Sequence, residues 1–235
     1  MTDHEEDFGK IERLSNQPNE GRWQPIAGQT TEDFLQGAPE LSRIPLKMSA
    51  SSILSRGISP QDKSGSTTGL VVGYVQSGKT LSFETVIAMA RDNEFALSIV
   101  VAGTSNPLFD QSTGRLKKDL KLDDPKHGRS WALFENLSPN NQEDLRRITS
   151  ILREWADPDF PKNRRRTILI TVLKNHSRLL NLTRALTQLS LDRMPALIFD
   201  DEADQASLNA EVNDDDESTT YSRLVELRNS LPLHA

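Results

Sequence analysis

Apolar runs and polar segments follow one another along most of the chain, and this pattern predicts alternating strands and helices. Nearly continuous apolar runs of about four to eight residues are typical of strands buried on both faces of a sheet. Four segments rich in apolar and β-branched residues have this character: 95–102, 131–134, 167–172 and 196–199. A shorter run, residues 70–72, precedes a glycine and predicts a fifth buried strand.

Between these runs, apolar residues recur every three or four positions, which predicts helices with one apolar face. Four such segments are residues 81–90, 145–155, 179–189 and 221–231. Asn140 or Asn141 is expected to cap the second helix, and Asn175 or Ser177 the third, because short polar side chains accept hydrogen bonds from the first free N–H groups of a helix.

The remaining segments give weaker patterns. A short helix is expected at residues 31–35, with Thr30 or Thr31 as its cap and an end before Pro39. A short basic helix is expected at 116–122. Three segments are expected to be loops: the Gly-, Ser- and Pro-rich residues 55–68, the polar turn 103–107, and the acidic residues 211–219.

The alternation of strand and helix predicts an α/β fold with a mostly parallel sheet flanked by helices. Three regions follow from the pattern: an N-terminal arm (1–28) that is expected to be flexible, a lead-in of helix and loop (29–68), and the α/β lobe itself (69–235). Two motifs within this lobe bear on its function.

The first motif is residues 73–80, which read G-x-x-x-x-G-K-T, the phosphate-binding P-loop. It stands between a predicted strand and a predicted helix, as this motif requires. The backbone N–H groups of such a loop and the helix N-terminus cradle phosphates, and the lysine reaches the β- and γ-phosphates while the threonine hydroxyl holds Mg²⁺. The sequence therefore predicts an ATP site at Gly73, Gln76, Ser77, Gly78, Lys79 and Thr80.

The second motif is the group of acids directly after the apolar run 196–199. In P-loop ATPases a carboxylate at a strand end holds Mg²⁺, and a neighbouring glutamate orients the attacking water. Asp201 and Glu202 fit these two roles, with Lys79 and Glu202 as the catalytic pair. Asp200 is an alternative magnesium carboxylate, because it follows the apolar run immediately.

Composition narrows the function classes. The 235 residues suit about one domain, and the 35% apolar content predicts some polar sequence outside the core. With no cysteine there are no disulfides and no thiol nucleophile, which fits a cytoplasmic protein. No signal peptide or membrane-spanning run is visible, so no membrane partner is expected. The net charge of −6 means that a nucleic-acid contact has to come from a local patch.

Four strings resemble the bacterial Z-one domain family, helicase-like ATPases described as putative endonucleases and found beside restriction and phage-defence genes. They are VVGYVQSGKT, GTSNPLFDQSTGRL, ITVLKNHSRLL and ALIFDDEADQAS. Residues 201–204 also spell the DEAD box of superfamily 2 helicases. The resemblance covers residues 69–235. It implies a RecA-like, ATP- and Mg²⁺-dependent motor lobe that acts on nucleic acid together with other defence subunits. DNA is favoured as the nucleic acid, and RNA is the alternative.

The resemblance also places candidate nucleic-acid contacts. Residues 103–106, with Thr104 and Asn106, match motif Ia, and residues 174–176 lie near motif Ib. Gln111, Arg115 and Lys174 are further candidate phosphate contacts. The alternative for these three is that they are solvated polar residues at the ends of elements.

The chain departs from the family pattern in two respects. In that superfamily the DEAD strand is followed by a strand that ends in a Ser/Thr-Ala-Thr motif and lies in the sheet between the P-loop strand and the DEAD strand, but no such motif occurs here. A second lobe with an arginine finger is also absent from the sequence. We expect a lobe that ends before that strand; a compact variant with a differently closed sheet is the alternative. Because an arginine finger is worth about 10³–10⁵ in rate, ATP hydrolysis by this chain alone is expected to be very slow.

Other candidate chemistry is weaker. The four histidines form no metal-binding pair, and no P-D followed by (D/E)-x-K supports a nuclease site. The basic residues 164–166 are interpreted as a solvated strand entrance, with phosphate binding as the alternative. The acidic residues 214–217 are interpreted as a disordered acidic loop, with nucleic-acid mimicry or cation binding as the alternative. The predicted function is therefore an ATPase motor lobe of helicase or translocase type in a bacterial defence system. The alternative is a nucleotide-gated switch that binds proteins and does not move on nucleic acid.

Overall fold

A computed structural model describes residues 22–71, 79–125, 127–201 and 214–235. Its centre is one sheet of six parallel strands in the order β1-β6-β5-β2-β4-β3. The strands are β1 (Gly65–Ser66), β2 (Leu97–Ala102), β3 (Trp131–Glu135), β4 (Thr167–Leu173), β5 (Ala196–Asp200) and β6 (Leu233–His234). The α/β fold with a parallel sheet is confirmed.

Seven helices belong to the described part of the chain. They are α1 (Gln29–Leu35), α2 (Glu40–Arg56), α3 (Lys79–Asp92), α4 (Asn106–Asp119), α5 (Gln142–Ala156), α6 (His176–Leu186) and α7 (Asp214–Asn229). Helices α1 to α4 share one hydrophobic cluster on one face of the sheet, and α5 to α7 share another on the opposite face. The result is three layers, with the sheet in the middle.

Successive strand residues divide between the two layers of helices. Every residue of β2 is buried; Ile99 and Val101 belong to the α5–α7 cluster, whereas Val100 and Ala102 belong to the α1–α4 cluster. This is the period of two of a strand covered on both sides. It explains why the sequence shows continuous apolar runs instead of alternation.

The central predictions are confirmed. The apolar runs at 95–102, 131–134, 167–172 and 196–199 correspond to β2 to β5, and the predicted helices correspond to α3, α5, α6 and α7. The side chain of Asn141 accepts a hydrogen bond from the Asp144 N–H, and Asn175 caps α6 in the same way. Local sequence is sufficient here because the caps and the apolar faces are encoded in neighbouring residues.

Helix α1 is confirmed, but the prediction of a cap by Thr30 or Thr31 is wrong. The carboxylate of Asp92, at the end of α3, accepts hydrogen bonds from the backbone N–H groups of Gly28, Thr30 and Thr31 over 2.8–3.0 Å. A Cβ on Gly28 would lie 2.8 Å from the Asp92 Cγ, so the close approach requires glycine. A residue more than sixty positions away supplies the cap.

The prediction of a strand at 70–72 is wrong for Leu70 and Val71, and Val72 lies outside the described residues. Leu70 is 61% exposed and Val71 48% exposed, and within the described ranges no strand pairs with them. The edge strand is instead Gly65–Ser66, which pairs with Leu233–His234. Strand β6 thus lies between β1 and β5, and the apolar pattern did not predict a strand at these residues.

One helix was not predicted, and two others begin at residues that differ from prediction. Helix α2 was missed within the lead-in, since its apolar residues do not follow one face and Pro45 interrupts the pattern. Helix α4 begins at Asn106 and not near residue 116, because Pro107 suits the first turn of a helix. Helix α7 starts at Asp214, within the segment expected to be an acidic loop. Among the described residues, no helix has the length and apolar character needed to cross a membrane.

Candidate nucleotide site

The predicted site elements converge on the carboxyl edge of the sheet. Helix α3 is followed directly by β2, so its last residues lie at the edge of the sheet where β2 begins. Its first residues, Lys79 and Thr80, therefore lie at the opposite edge, where β2 and β5 end. In open α/β sheets this edge is where ligands bind. The loop residues Gly73, Gln76, Ser77 and Gly78 lie outside the described residues, as does Glu202.

The two candidate magnesium carboxylates, Asp200 and Asp201, lie on opposite faces of the sheet, because successive residues of a strand alternate between its faces. Leu197 and Phe199 face the α1–α4 layer, whereas Ala196 and Ile198 face the α5–α7 layer. The period of two assigns Asp200 to the α5–α7 side and the next residue, Asp201, to the side of α3. In agreement, the Oδ2 atom of Asp201 lies 3.5 Å from the Ser112 hydroxyl on α4. The sequence alone left this choice open.

Asp200 lies beside a buried lysine. The Nζ atom of Lys174 is 2.9 Å from the Asp200 Oδ1 atom, and the Lys174 side chain is 0% exposed. A buried ammonium group is tolerated when a carboxylate lies next to it. The Asp200 carboxylate therefore has a structural partner, whereas the Asp201 carboxylate is half-buried at the edge itself.

Glu84, which the sequence analysis did not single out, is the unexpected residue of this region. It lies in the second turn of α3, its side chain is 0% exposed, and the Asp119 carboxyl group lies beside it. Burial, followed by the negative charge of Asp119, raises the pKa of Glu84 from 4.5 to about 8; Asp201 adds to this effect and Arg115 opposes it. Glu84 is therefore a neutral acid at pH 7.

A sequence signal for Glu84 existed. It stands three residues after Leu81 and three before Ile87, within the apolar face of α3. A carboxylate at helical spacing inside an apolar stripe indicates a buried acid. No comparable pattern marks Ser112, whose proximity to Asp201 depends on the fold.

The candidate nucleic-acid contacts divide into two groups. Thr104, Asn106, Gln111 and Arg115 are exposed on the β2–α4 turn and on α4. Gln111 and Arg115 are four residues apart and therefore share one side of the helix. Lys174 differs from these residues, because its ammonium group is buried and forms an ion pair with Asp200. It is therefore not exposed as a phosphate contact would be.

The turn before α4 is tightly built. Gly103 has a φ of +58°, and a Cβ there would lie 2.6 Å from the Leu108 Cβ. Its carbonyl oxygen accepts a hydrogen bond from the Lys174 N–H over 2.9 Å, which joins the ends of β2 and β4. This geometry fixes the position of Thr104 and Asn106 relative to the sheet edge.

Asp201 is the described residue whose chemistry suits a magnesium ion. Mg²⁺ is usually bound by one or two carboxylates while it keeps several waters, so a dedicated cage is not needed. Within the described ranges no group of three or more metal-ligating side chains occurs, and Asp201 supplies a single half-buried carboxylate at the correct edge. Comparison of the chain with protein-family models, curated proteins and solved structures finds no match.

Proposed function

We propose that this chain is an ATP-binding and ATP-hydrolysing motor lobe of a superfamily 2 helicase or translocase. The observation that carries the proposal is the position of two described ends, one from each motif. Helix α3 begins with Lys79 and Thr80 of the G-x-x-x-x-G-K-T sequence, and Asp201 follows β5 on the same side of the sheet.

Each residue then has a separate task. The loop backbone at Gly73, Gln76, Ser77 and Gly78, with the N-terminus of α3, binds phosphate oxygens. Lys79 compensates phosphate charge, and Thr80 with Asp201 holds the magnesium ion. Glu202 accepts a proton from the attacking water and orients it. When bound, ATP would supply the phosphoryl group, and Mg²⁺ would supply positive charge that offsets the negative charge of the phosphates.

The nucleic-acid part of the proposal is supported by the exposed polar residues that continue from the same edge. Thr104, Asn106, Gln111 and Arg115 form this surface, and the resemblance to helicase motifs assigns it to a nucleic-acid backbone. In the resembling family, DNA and a cytoplasmic bacterial defence system are the expected setting. Lys174 does not belong to this surface in the proposal, because its side chain is buried.

Mg²⁺-ATP binding tests the nucleotide site directly. Isothermal titration calorimetry on the wild-type chain is compared with Lys79→Ala and with Lys118→Ala, an exposed lysine on α4. Loss of a charged partner from a phosphate site costs about 2–5 kcal/mol, so affinity should fall by roughly 30-fold or more in Lys79→Ala only. Equal affinities in all three proteins, each folded by circular dichroism, would refute the proposal.

A second candidate function is a nucleotide-gated switch that binds proteins. An exposed apolar row on α2 favours it: Leu41, Ile44 and Met48 are 93%, 70% and 68% exposed and lie three and four residues apart. The two candidates differ in one measurable property. ATP turnover stimulated by single- or double-stranded DNA supports the motor, whereas turnover that DNA leaves unchanged and that a protein partner stimulates supports the switch.

A further inference from the structure

A cavity lies at the amino edge of the sheet, on the opposite side from the candidate nucleotide site. Its volume is about 400 Å³, and it is formed where α3 and α4 end and where β3 and β4 begin. We call it the amino-edge cavity; among the residues lining it are Arg91, Lys121, Trp131, Trp155, Lys162 and Arg165. This volume is within the usual range of small-molecule sites, about 300–1,000 Å³.

Two arginines in this cavity are held firmly by neutral groups. The Nη1 atom of Arg91 donates hydrogen bonds to the Arg165 carbonyl oxygen and the Thr167 hydroxyl, over 3.1 and 3.0 Å. The Nη2 atom of Arg165 donates to the Asp157 carbonyl oxygen over 3.0 Å. Each guanidinium lies 5.5 Å from the centre of a tryptophan ring, Arg91 over Trp131 and Arg165 over Trp155.

Neither arginine has an anionic partner in the described part of the chain. No ion pair includes Arg91 or Arg165. The Nε atoms of both are buried without a hydrogen-bond acceptor, and Arg165 as a whole is only 8% exposed. A buried charge without an opposite charge is costly, and arginine does not lose its proton at neutral pH.

The carboxylates that line the cavity have other partners. Asp92 caps α1 and influences Arg91 only through space. Glu94 pairs with Lys162, and Asp33 lies 3.4 Å from the His127 Nε2 atom. Asp119 lies beside Glu84, where its charge helps to raise the pKa of that carboxyl group.

We propose that the amino-edge cavity is a second ligand site, which binds a small organic anion bearing a phosphate or carboxylate group between Arg91 and Arg165. Guanidinium groups offer paired N–H donors that match both oxyanions. The tryptophans keep the two arginines in place and provide an apolar wall for the body of the ligand. The site does not depend on the proposed ATPase function.

The test uses inorganic phosphate and citrate as probes on the full chain carrying Lys79→Ala, which removes phosphate binding at the P-loop. Tryptophan fluorescence and calorimetry should show saturable binding of at least one probe. Arg165→Met should weaken it by about ten-fold or more, since a charge-assisted hydrogen bond is lost. The matched control Arg164→Met changes an exposed arginine and should alter affinity less than about two-fold.

A surface variant keeps the proposal testable if Arg165→Met fails to fold. Asn163 is exposed and lines the cavity, so Asn163→Glu adds a negative charge that repels an anionic ligand without disturbing the core. The control is Asn140→Glu, which adds the same charge at an exposed residue that does not line the cavity. Weaker binding in Asn163→Glu alone supports the site. Phosphate binding without citrate binding assigns a phosphate-bearing ligand, and the reverse assigns a carboxylate-bearing one. Binding of neither probe, or equal affinities in each variant and its control, would overturn the proposal.

Discussion

The two edges of the sheet differ in how their buried ionisable side chains are paired or neutralised. At the carboxyl edge, Lys174 is paired with Asp200, and Glu84 avoids a charge because the pKa of its carboxyl group is raised to about 8. At the amino edge, Arg91 and Arg165 lie against tryptophans and carbonyl groups, with no ion pair among the described residues. A carboxyl group can become neutral at pH 7, but a guanidinium cannot.

This difference indicates where a ligand has to bring charge. Burial lowers the pKa of Arg91, but only to about 10, so it stays protonated at neutral pH. The buried groups of the carboxyl edge are thus paired or neutral, whereas the guanidinium groups of Arg91 and Arg165 form no ion pair among the described residues. Three changes test how each buried group is compensated.

The largest expected effect is on Glu84. In the folded chain its pKa is about 8 against an ordinary 4.5, so the native state holds the proton more tightly than the unfolded state. The free energy of unfolding should fall as pH rises from about 4.5 to about 8, by at most roughly 5 kcal/mol at 1.36 kcal/mol per pKa unit. Glu84→Gln should remove this dependence, as measured by urea denaturation across that range.

Glu143→Gln is the control for this prediction, because Glu143 is an exposed glutamate on α5. Its pH dependence should match that of the wild-type chain. If Glu84→Gln also keeps the wild-type slope, Glu84 is ionised in the folded chain and has a partner that compensates its charge.

The next effect concerns the two adjacent acids at the end of β5. Asp200→Asn removes the carboxylate beside the buried Lys174 ammonium group and should cost about 3–5 kcal/mol of unfolding free energy. Asp201→Asn should change stability by less than about 1 kcal/mol, since the side chain is half-buried at the edge. Only Asp201→Asn should abolish the Mg²⁺ dependence of ATP binding. The opposite result would move the magnesium role to Asp200.

The smallest effect is on Asp92, the cap of α1. Asp92→Ala leaves three backbone N–H groups without their acceptor and should lower the free energy of unfolding by about 2 kcal/mol. Asp92→Asn keeps one acceptor oxygen and should lose less, while Asp110→Ala, an exposed control on α4, should lose almost nothing. Equal losses in Asp92→Asn and Asp92→Ala would indicate that the charge of Asp92 compensates Arg91, which contradicts the comparison.

Much of the central fold was predictable from local pattern. Strands β2, β4 and β5 are continuous apolar segments, and α5 and α6 carry their own asparagine caps. Prediction failed where a distant residue decides the outcome. Leu70 and Val71 have strand-like side chains, but a strand also requires a neighbour, and the pairing of β1 with β6 lies at Gly65–Ser66.

The candidate site shows the same division. The residues 73–80 and the acids after β5 were visible as motifs, because phosphate and magnesium chemistry restricts the residue types and their spacing. Which of Asp200 and Asp201 faces α3 was not visible. It depends on which face of β5 each side chain occupies, and that is known only when the helices of each layer are known.

The sequence by itself determined the α/β class and the order of the inner elements and revealed the two candidate nucleotide motifs, because periodicity, caps and motif spacing are local properties. The tertiary structure decided how the charged groups are used. Lys174 lies beside Asp200, Asp92 caps a helix more than sixty residues away, and Arg91 and Arg165 meet at one cavity. Burial and pairing depend on residues distant in the chain, and these factors decide whether a charge is neutralised, paired or available to a ligand.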